Sequence, residues 1–184
     1  VFAHMATLGD VMDGVSALLH EDGVIVTESQ YLLDVFQGNQ FDEIYHDHIR
    51  IYSLKSLVAL FPYYGMEVFD ARRIHTREGS IEASAGWKGR HTIKSSVSEI
   101  VQTEEDAGLF TEEGWEKFRQ RVATQRRLLK ALIRDGAKVV ADSCPTRGVV
   151  LLNYYGLTTD KIPYVSQLPG TEKIGKYIPG THTP

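Results

Sequence analysis

Tyr45, His46, Asp47 and His48 stand in consecutive positions within QFDEIYHDHIRIYSL, residues 40–54. Histidine titrates near neutral pH and is the natural general base for a proton transfer. A neighbouring carboxylate can orient the ring and stabilise its cation. A tyrosine hydroxyl can hydrogen-bond a developing oxyanion. These are the ingredients for removing a proton beside a carbonyl. In an extended segment His46 and His48 share one face, and Tyr45 and Asp47 share the other. Only a bend brings all four together. The same residues support a second chemistry. His-x-His at a strand end can place two imidazoles on one metal ion, with Asp47 or a distant His4, His75 or His91 as third ligand. No second spaced motif accompanies it. The third reading is a structural polar cluster, and the residues alone leave all three open.

A second group could meet an anion. Arg147 and Gly148 open an apparent helix, where backbone N–H groups and the dipole favour negative charge. The ligand there would be a diphosphate; the alternative is a solvated helix start. Lys173 and Lys176 divide in the same way between phosphate and solvent. Cys144 sits beside Pro145 in a turn, and no electropositive surroundings mark it as a nucleophile.

The elements that position these groups alternate between helix and strand. Apolar residues at 8, 11, 12, 15, 18 and 19 have helical spacing. After the turn EDG, residues 24–28 (VIVTE) form an apolar run suited to a buried strand. Residues 30–37 suit a short helix ended by Gly38. Ser53 can cap a helix over 54–61, which Pro62 and Gly65 should end. Residues 66–74 and 80–87 read as two strands joined by a short loop containing Gly79. A polar stretch, 88–96, reads as a linker, and 97–107 as a helix. The strongest helix is 112–135, with Thr111 as its cap and an apolar stripe of Trp115, Phe118, Val122, Leu129, Leu132 and Ile133. Its arginines at 119, 121, 126, 127 and 134 read as a solvated face. Gly136 supplies the stop. Residues 137–142 then read as a strand, and 147–156 as a helix across the turn SCPT. Strand–turn–helix is an entry unit of doubly wound sheets. Neither GxGxxG nor GxxxxGK[ST] occurs in the chain.

Bulk properties narrow the classes. With 184 residues the chain can hold one large domain or two small ones. A net charge of −4 argues against a general nucleic-acid binder. One cysteine permits no intrachain disulfide, so a reducing, cytoplasmic compartment is the default. No apolar run approaches the roughly 18 residues that span a bilayer. The chain opens with VFAHMATL and closes with IPGTHTP. Both ends read as cut, so a fragment of a longer protein is expected.

The stretch NQFDEIYHDHIRIYSLKSLVALFPYYGMEVFDARRI resembles a segment of the sugar C-methyltransferases, whose pattern is close to Q-F-D-x-I-Y-H-E-H, then Y-S-L, a helix, and G-x-x-V-F-D. LLNYYG (151–156) and KYIPGTHTP (176–184) match downstream, and VFAH (1–4) upstream. The matches are collinear and cover nearly the whole chain. The resemblance implies S-adenosylmethionine-dependent methylation of a keto-sugar carried on a nucleoside diphosphate. It implies an α/β fold: the C-terminal portion of a Rossmann-like methyltransferase domain over 1–87, a linker at 88–96, and the start of a second Rossmann-like, sugar-nucleotide-binding domain over 97–184. A zinc-binding piece and the glycine-rich cofactor turn would lie upstream.

The roles follow from the same resemblance. His48 matches the general base that removes the proton next to the keto group, and the enolate carbon then attacks the cofactor methyl. Tyr45, His4 and Asp47 line the same site. Arg147 falls in the family's phosphate loop, and with it Gly148, Lys173 and Lys176, from the reading of the residues, are the expected sugar-nucleotide contacts. Some positions depart from the pattern. Asp47 replaces a glutamate. TREGS (76–80) stands where T-H-G-G-S is usual. CPTRGVVLLN replaces A-P-A-K-G-N-T-L-L-N, with Arg147 keeping a cation. SQLPGTEKIG lacks the usual D-x-N-P.

Overall fold

A computed structural model of the chain describes residues 2–75, 78–134 and 139–184. The fold is mixed α/β, the class expected from the sequence. Contacts divide it into two compact units, one of Val1–Gln40 with His46–Phe118, the other of Phe41–Tyr45 with Arg119–Pro184.

The first unit contains α1 (Leu8–Leu18), β1 (Ile25–Gln30), α2 (Leu32–Gln37), α3 (Leu54–Leu60), β2 (Met66–Ile74), β3 (Ser80–Trp87), α4 (Ser95–Asp106) and the start of α5 (Glu112–Arg134). Its sheet has the order β1-β3-β2 and is antiparallel throughout. The β2–β3 hairpin has the boundaries that alternation and Gly79 predict. The reading of β1 as a buried apolar strand is corrected. Thr27 and Ser29 are buried, whereas Val24 and Val26 are exposed. Side chains alternate along a strand, so one face of β1 is covered and the other is not. Of the apolar positions in α1, Met12 is fully buried and Leu18 is exposed. Leu33, Leu54, Leu57, Phe61, Met66 and Ile81 make the centre of the core.

Local signals explain the helix boundaries. Ser53 caps α3, its Oγ accepting from the Ser56 N–H at 3.0 Å. Glu104, fully buried on α4, accepts the two preceding N–H groups, of Leu54 at 2.5 Å and Lys55 at 3.0 Å. Three of the four orphan donors at the start of α3 are thereby satisfied. Burial pushes the Glu104 carboxyl up, against the pull of those two donors. After α3, a 3₁₀ turn through Pro62 ends at Gly65 with φ +71°. Thr111 caps α5, accepting from the Gly114 N–H at 3.1 Å.

The segment read as a linker, 88–96, is tied to β2. A register shift between Val68 and Asp70 leaves the Phe69 carbonyl to accept from the Lys94 N–H at 2.8 Å. Lys94 Nζ lies 2.6 Å from Asp70, and Ser96 Oγ donates to the same carboxylate at 2.8 Å. The His91 ring stacks on Phe69 at 4.4 Å and fills the space where a Cβ on Gly86 would lie, 2.5 Å away.

The second unit contains the rest of α5, β4 (Ala141–Asp142), α6 (Thr146–Tyr155) and β5 (Val165–Ser166). β4 and β5 are parallel, so β4-α6-β5 is a small crossover unit. Of the strand expected over 137–142, Ala141–Asp142 is strand, and Gly136 with residues 137–138 lies outside the described residues. Ile133, Cys144, Leu152, Tyr155, Leu157, Ile162 and Ile178 form its core. Phe41 packs against Tyr154 at 4.9 Å and Tyr155 at 5.5 Å.

Candidate functional site

The quoted histidine stretch is not extended. A bend at Tyr45 and a turn at His46–Asp47 lead into His48. Past the turn, His48 approaches residues 2–6. Arg50 fixes that approach. Its N–H donates to the Ala3 carbonyl at 3.3 Å, and its guanidinium donates to the carbonyls of Met5 and Ala6. Phe2 stacks on Tyr52 at 5.3 Å, anchoring the same segment from its other end.

His4 and His48, 44 positions apart, thereby come together, with ring centroids 5.1 Å apart and planes at 49°. His4 Nδ1 lies 2.5 Å from the main-chain oxygen of Asp47. A carbonyl can only accept, so Nδ1 carries the hydrogen and neutral His4 keeps Nε2 as its acceptor. The Asp47 carboxylate faces the other way, 3.2 Å from His46 Nε2, and both of those side chains are largely exposed. His48 itself is half-buried. Asp47 therefore serves two histidines by different atoms: His4 by its backbone and His46 by its side chain. Tyr45 is half-buried and groups by its contacts with the second unit. Among the described residues, no three His, Cys, Asp or Glu side chains are placed to hold a metal ion.

Arg147 is committed to protein carboxylates. Its Nε lies 2.7 Å from Asp42 and its Nη1 2.8 Å from Glu43, and both carboxylates are mostly buried. Gly148 serves packing. A Cβ there would stand 3.1 Å from Cys144 Sγ. Burial raises the Cys144 thiol above its ordinary range, partly offset by Lys173. Lys173 Nζ donates to the Cys144 carbonyl at 3.2 Å, which brings it to the turn that carries Arg147. Lys176 is exposed; its N–H donates to the Lys173 carbonyl at 3.1 Å. In the TREGS loop, Arg77 lies outside the described residues, and Glu78 adopts φ +68°.

Several positioning residues were not singled out by sequence reasoning. Arg50 is one; its position two residues after His48 was the available signal. Asp42 and Glu43, in the same stretch, are the partners of Arg147. Asn153 of LLNYYG and Gly180 of IPGTHTP form a further pair. Asn153 Nδ2 donates to the Pro179 carbonyl at 2.9 Å. A Cβ on Gly180, where φ is +83°, would fall 1.9 Å from the Asn153 amide oxygen.

Residues 75–184 match the C-methyltransferase C-terminal domain. The chain belongs to the C-methyltransferase family. It is 34 % identical over 188 aligned positions to the C-methyltransferase NovU of Streptomyces niveus. That alignment takes in all of this chain and 44 % of the relative, so the chain spans less than half of NovU's length. His4 and residues 45–48 lie before the family match and within the stretch shared with NovU.

Proposed function

We propose that this chain is the substrate-activating part of a C-methyltransferase that acts on a nucleoside-diphosphate keto-sugar, with S-adenosylmethionine as methyl donor. The observation that carries the reading is the His4–His48 pair, held by the Asp47 main chain in a member of this family. His48 is the base that takes the proton from the carbon beside the keto group. The Tyr45 hydroxyl donates to the developing enolate oxygen. His4, oriented by Asp47, positions the base, and Asp47 supplies the nearby negative charge. Lys173 and Lys176 meet the diphosphate, together with the Arg147–Gly148 helix start. Residues 1–87 and 97–184 are read as portions of two Rossmann-like domains.

When bound, S-adenosylmethionine supplies the methyl group. The residues present do not fit that cofactor. The β1–α2 connection is the single buried residue Tyr31, and the β4–α6 turn is filled by Cys144 against Gly148. No step at the methyl donor is therefore assigned to this chain, and alone it should transfer no methyl.

The test is deuterium wash-in at the carbon beside the keto group of a thymidine-diphosphate keto-sugar, followed by NMR. It is done in a chain that also carries the cofactor-binding part, with no donor added. General-base catalysis is worth about 10²- to 10⁴-fold, so His48→Ala should slow exchange by at least about a hundredfold while leaving sugar-nucleotide binding intact. Unchanged exchange would remove His48 as the base. Binding without exchange in the unmutated protein would favour a nucleotide-sugar-binding module instead.

A further inference from the structure

The second unit carries a groove of about 620 Å³ between the C-terminal half of α5 and the segment following α6. Arg126, Arg127, Lys130 and Arg134 line it from α5, and Lys161 from the opposite segment. Among the described residues Asp160 is the one carboxylate in the lining, and it lies 3.5 Å from Lys161. Ile133 and Leu157 give it an apolar floor.

The helix dipole does not account for this arrangement. Cations in the last turn of a helix are favourable, and the effect falls off within that turn. Arg134 fits that explanation; Arg126 and Arg127 lie two turns earlier, and Lys161 comes from another segment. Positions 126, 130 and 134 follow an i, i+4, i+8 series, and 127, 130 and 134 an i, i+3, i+7 series. Like charges at these spacings destabilise a helix unless something between them is negative. Among the described residues no carboxylate pairs with any of the four α5 cations. Arg126 is instead held over the Tyr154 ring, 5.8 Å from its centroid.

We infer that this groove is a binding site for a small phosphate-bearing molecule of nucleotide size. Guanidinium groups match phosphate oxygens bidentately, and the lysines add point charges. The volume falls within the roughly 300–1,000 Å³ of small-molecule sites. The apolar floor suits a ring or sugar carried beside the phosphates. A concave site in a chain of net charge −4 fits a small anion better than nucleic acid. The site is separate from Arg147, whose charge Asp42 and Glu43 balance, and it does not depend on the sugar-methylation reading.

The probe is inorganic pyrophosphate, titrated calorimetrically into the 184-residue chain. Saturable binding is expected, weakening as salt rises. Arg127 and Arg134 are exposed, so the double variant Arg127→Gln with Arg134→Gln should fold as the parent does. It should bind pyrophosphate at least about tenfold more weakly, given two lost charge-assisted contacts. Lys161→Gln, on a different segment, should also weaken binding and serves if the double variant unfolds. Lys117→Gln, at an exposed α5 position outside the groove that pairs with Glu113, should leave the affinity within twofold. Absence of saturable heat at millimolar pyrophosphate would overturn the proposal, as would parent-like binding by both groove variants or equal loss in Lys117→Gln. Tight binding of a single-stranded RNA oligomer without pyrophosphate binding would overturn it in favour of a nucleic-acid face.

Discussion

Replacing Glu104 by alanine should destabilise the first unit by about 2–3 kcal/mol, although Glu104 lies far in sequence from every candidate catalytic group. The carboxylate takes the N–H groups of both Leu54 and Lys55. Leu54 is fully buried, so its orphaned N–H would cost about 1–3 kcal/mol. The Lys55 N–H is partly exposed and water can reach it, so its loss costs about 1 kcal/mol or less. Removing the acid also gives something back. Desolvation of the carboxylate is the largest cause of its raised pKa, and alanine relieves it. Glu104→Gln keeps one acceptor and turns an NH₂ group towards the second donor, so about 1–2 kcal/mol is expected. Urea unfolding followed by tryptophan fluorescence measures both. Amide hydrogen exchange adds a local readout: Leu54 and Lys55 should lose protection while α6 keeps its own. An alanine variant within about 0.5 kcal/mol of the parent would refute the capping argument.

Two further outcomes follow from single contacts. The Lys94 ammonium and the Ser96 hydroxyl hold the Asp70 carboxyl below its ordinary value of 3.8. A lowered carboxylate contributes stability above the unfolded value and loses it as pH falls through the folded one. Asp70→Asn should therefore destabilise at neutral pH and match the parent at about pH 2, as measured by urea midpoints at both; a pH-independent difference would contradict this. Gly148→Ala places its Cβ 3.1 Å from Cys144 Sγ and should cost about 1 kcal/mol through overpacking. Adding Cys144→Ala should recover part of that loss in a double-mutant cycle, and strict additivity of the two changes would show that they do not touch.

How much was legible depended on where each signal was stored. The β2–β3 hairpin was readable because alternation, a glycine loop and strand length all lie within one short window. So was α5, with its cap at Thr111. The antiparallel pairing of β1 with β3 was not, because residue 25 meets residue 85 and no local pattern records that register. The same limit explains β1 itself: an apolar run looked buried, but which face is covered depends on distant elements. At the candidate site the residue types were legible and their geometry was not. The turn at His46–Asp47 replaces an extended segment, and the contact to His4 spans 43 positions. Arg147 shows the same limit. The place of Arg147 at a helix start was legible, and its pairing with Asp42 and Glu43, brought in from a distant segment, was not.

The sheet order leaves β1 at an edge, with β3 on one side and no strand on the other among the described residues. Its outward face carries Val24, Val26 and Glu28. An open ladder beside exposed valines is a template on which a second chain can add a strand. Glu28 is the charge that discourages this, since two copies pairing edge to edge would bring their acids close. Loss of that side chain should therefore favour self-association. Replacing Glu28 by valine would make that face apolar at 24, 26 and 28, and this is the variant that would begin to aggregate.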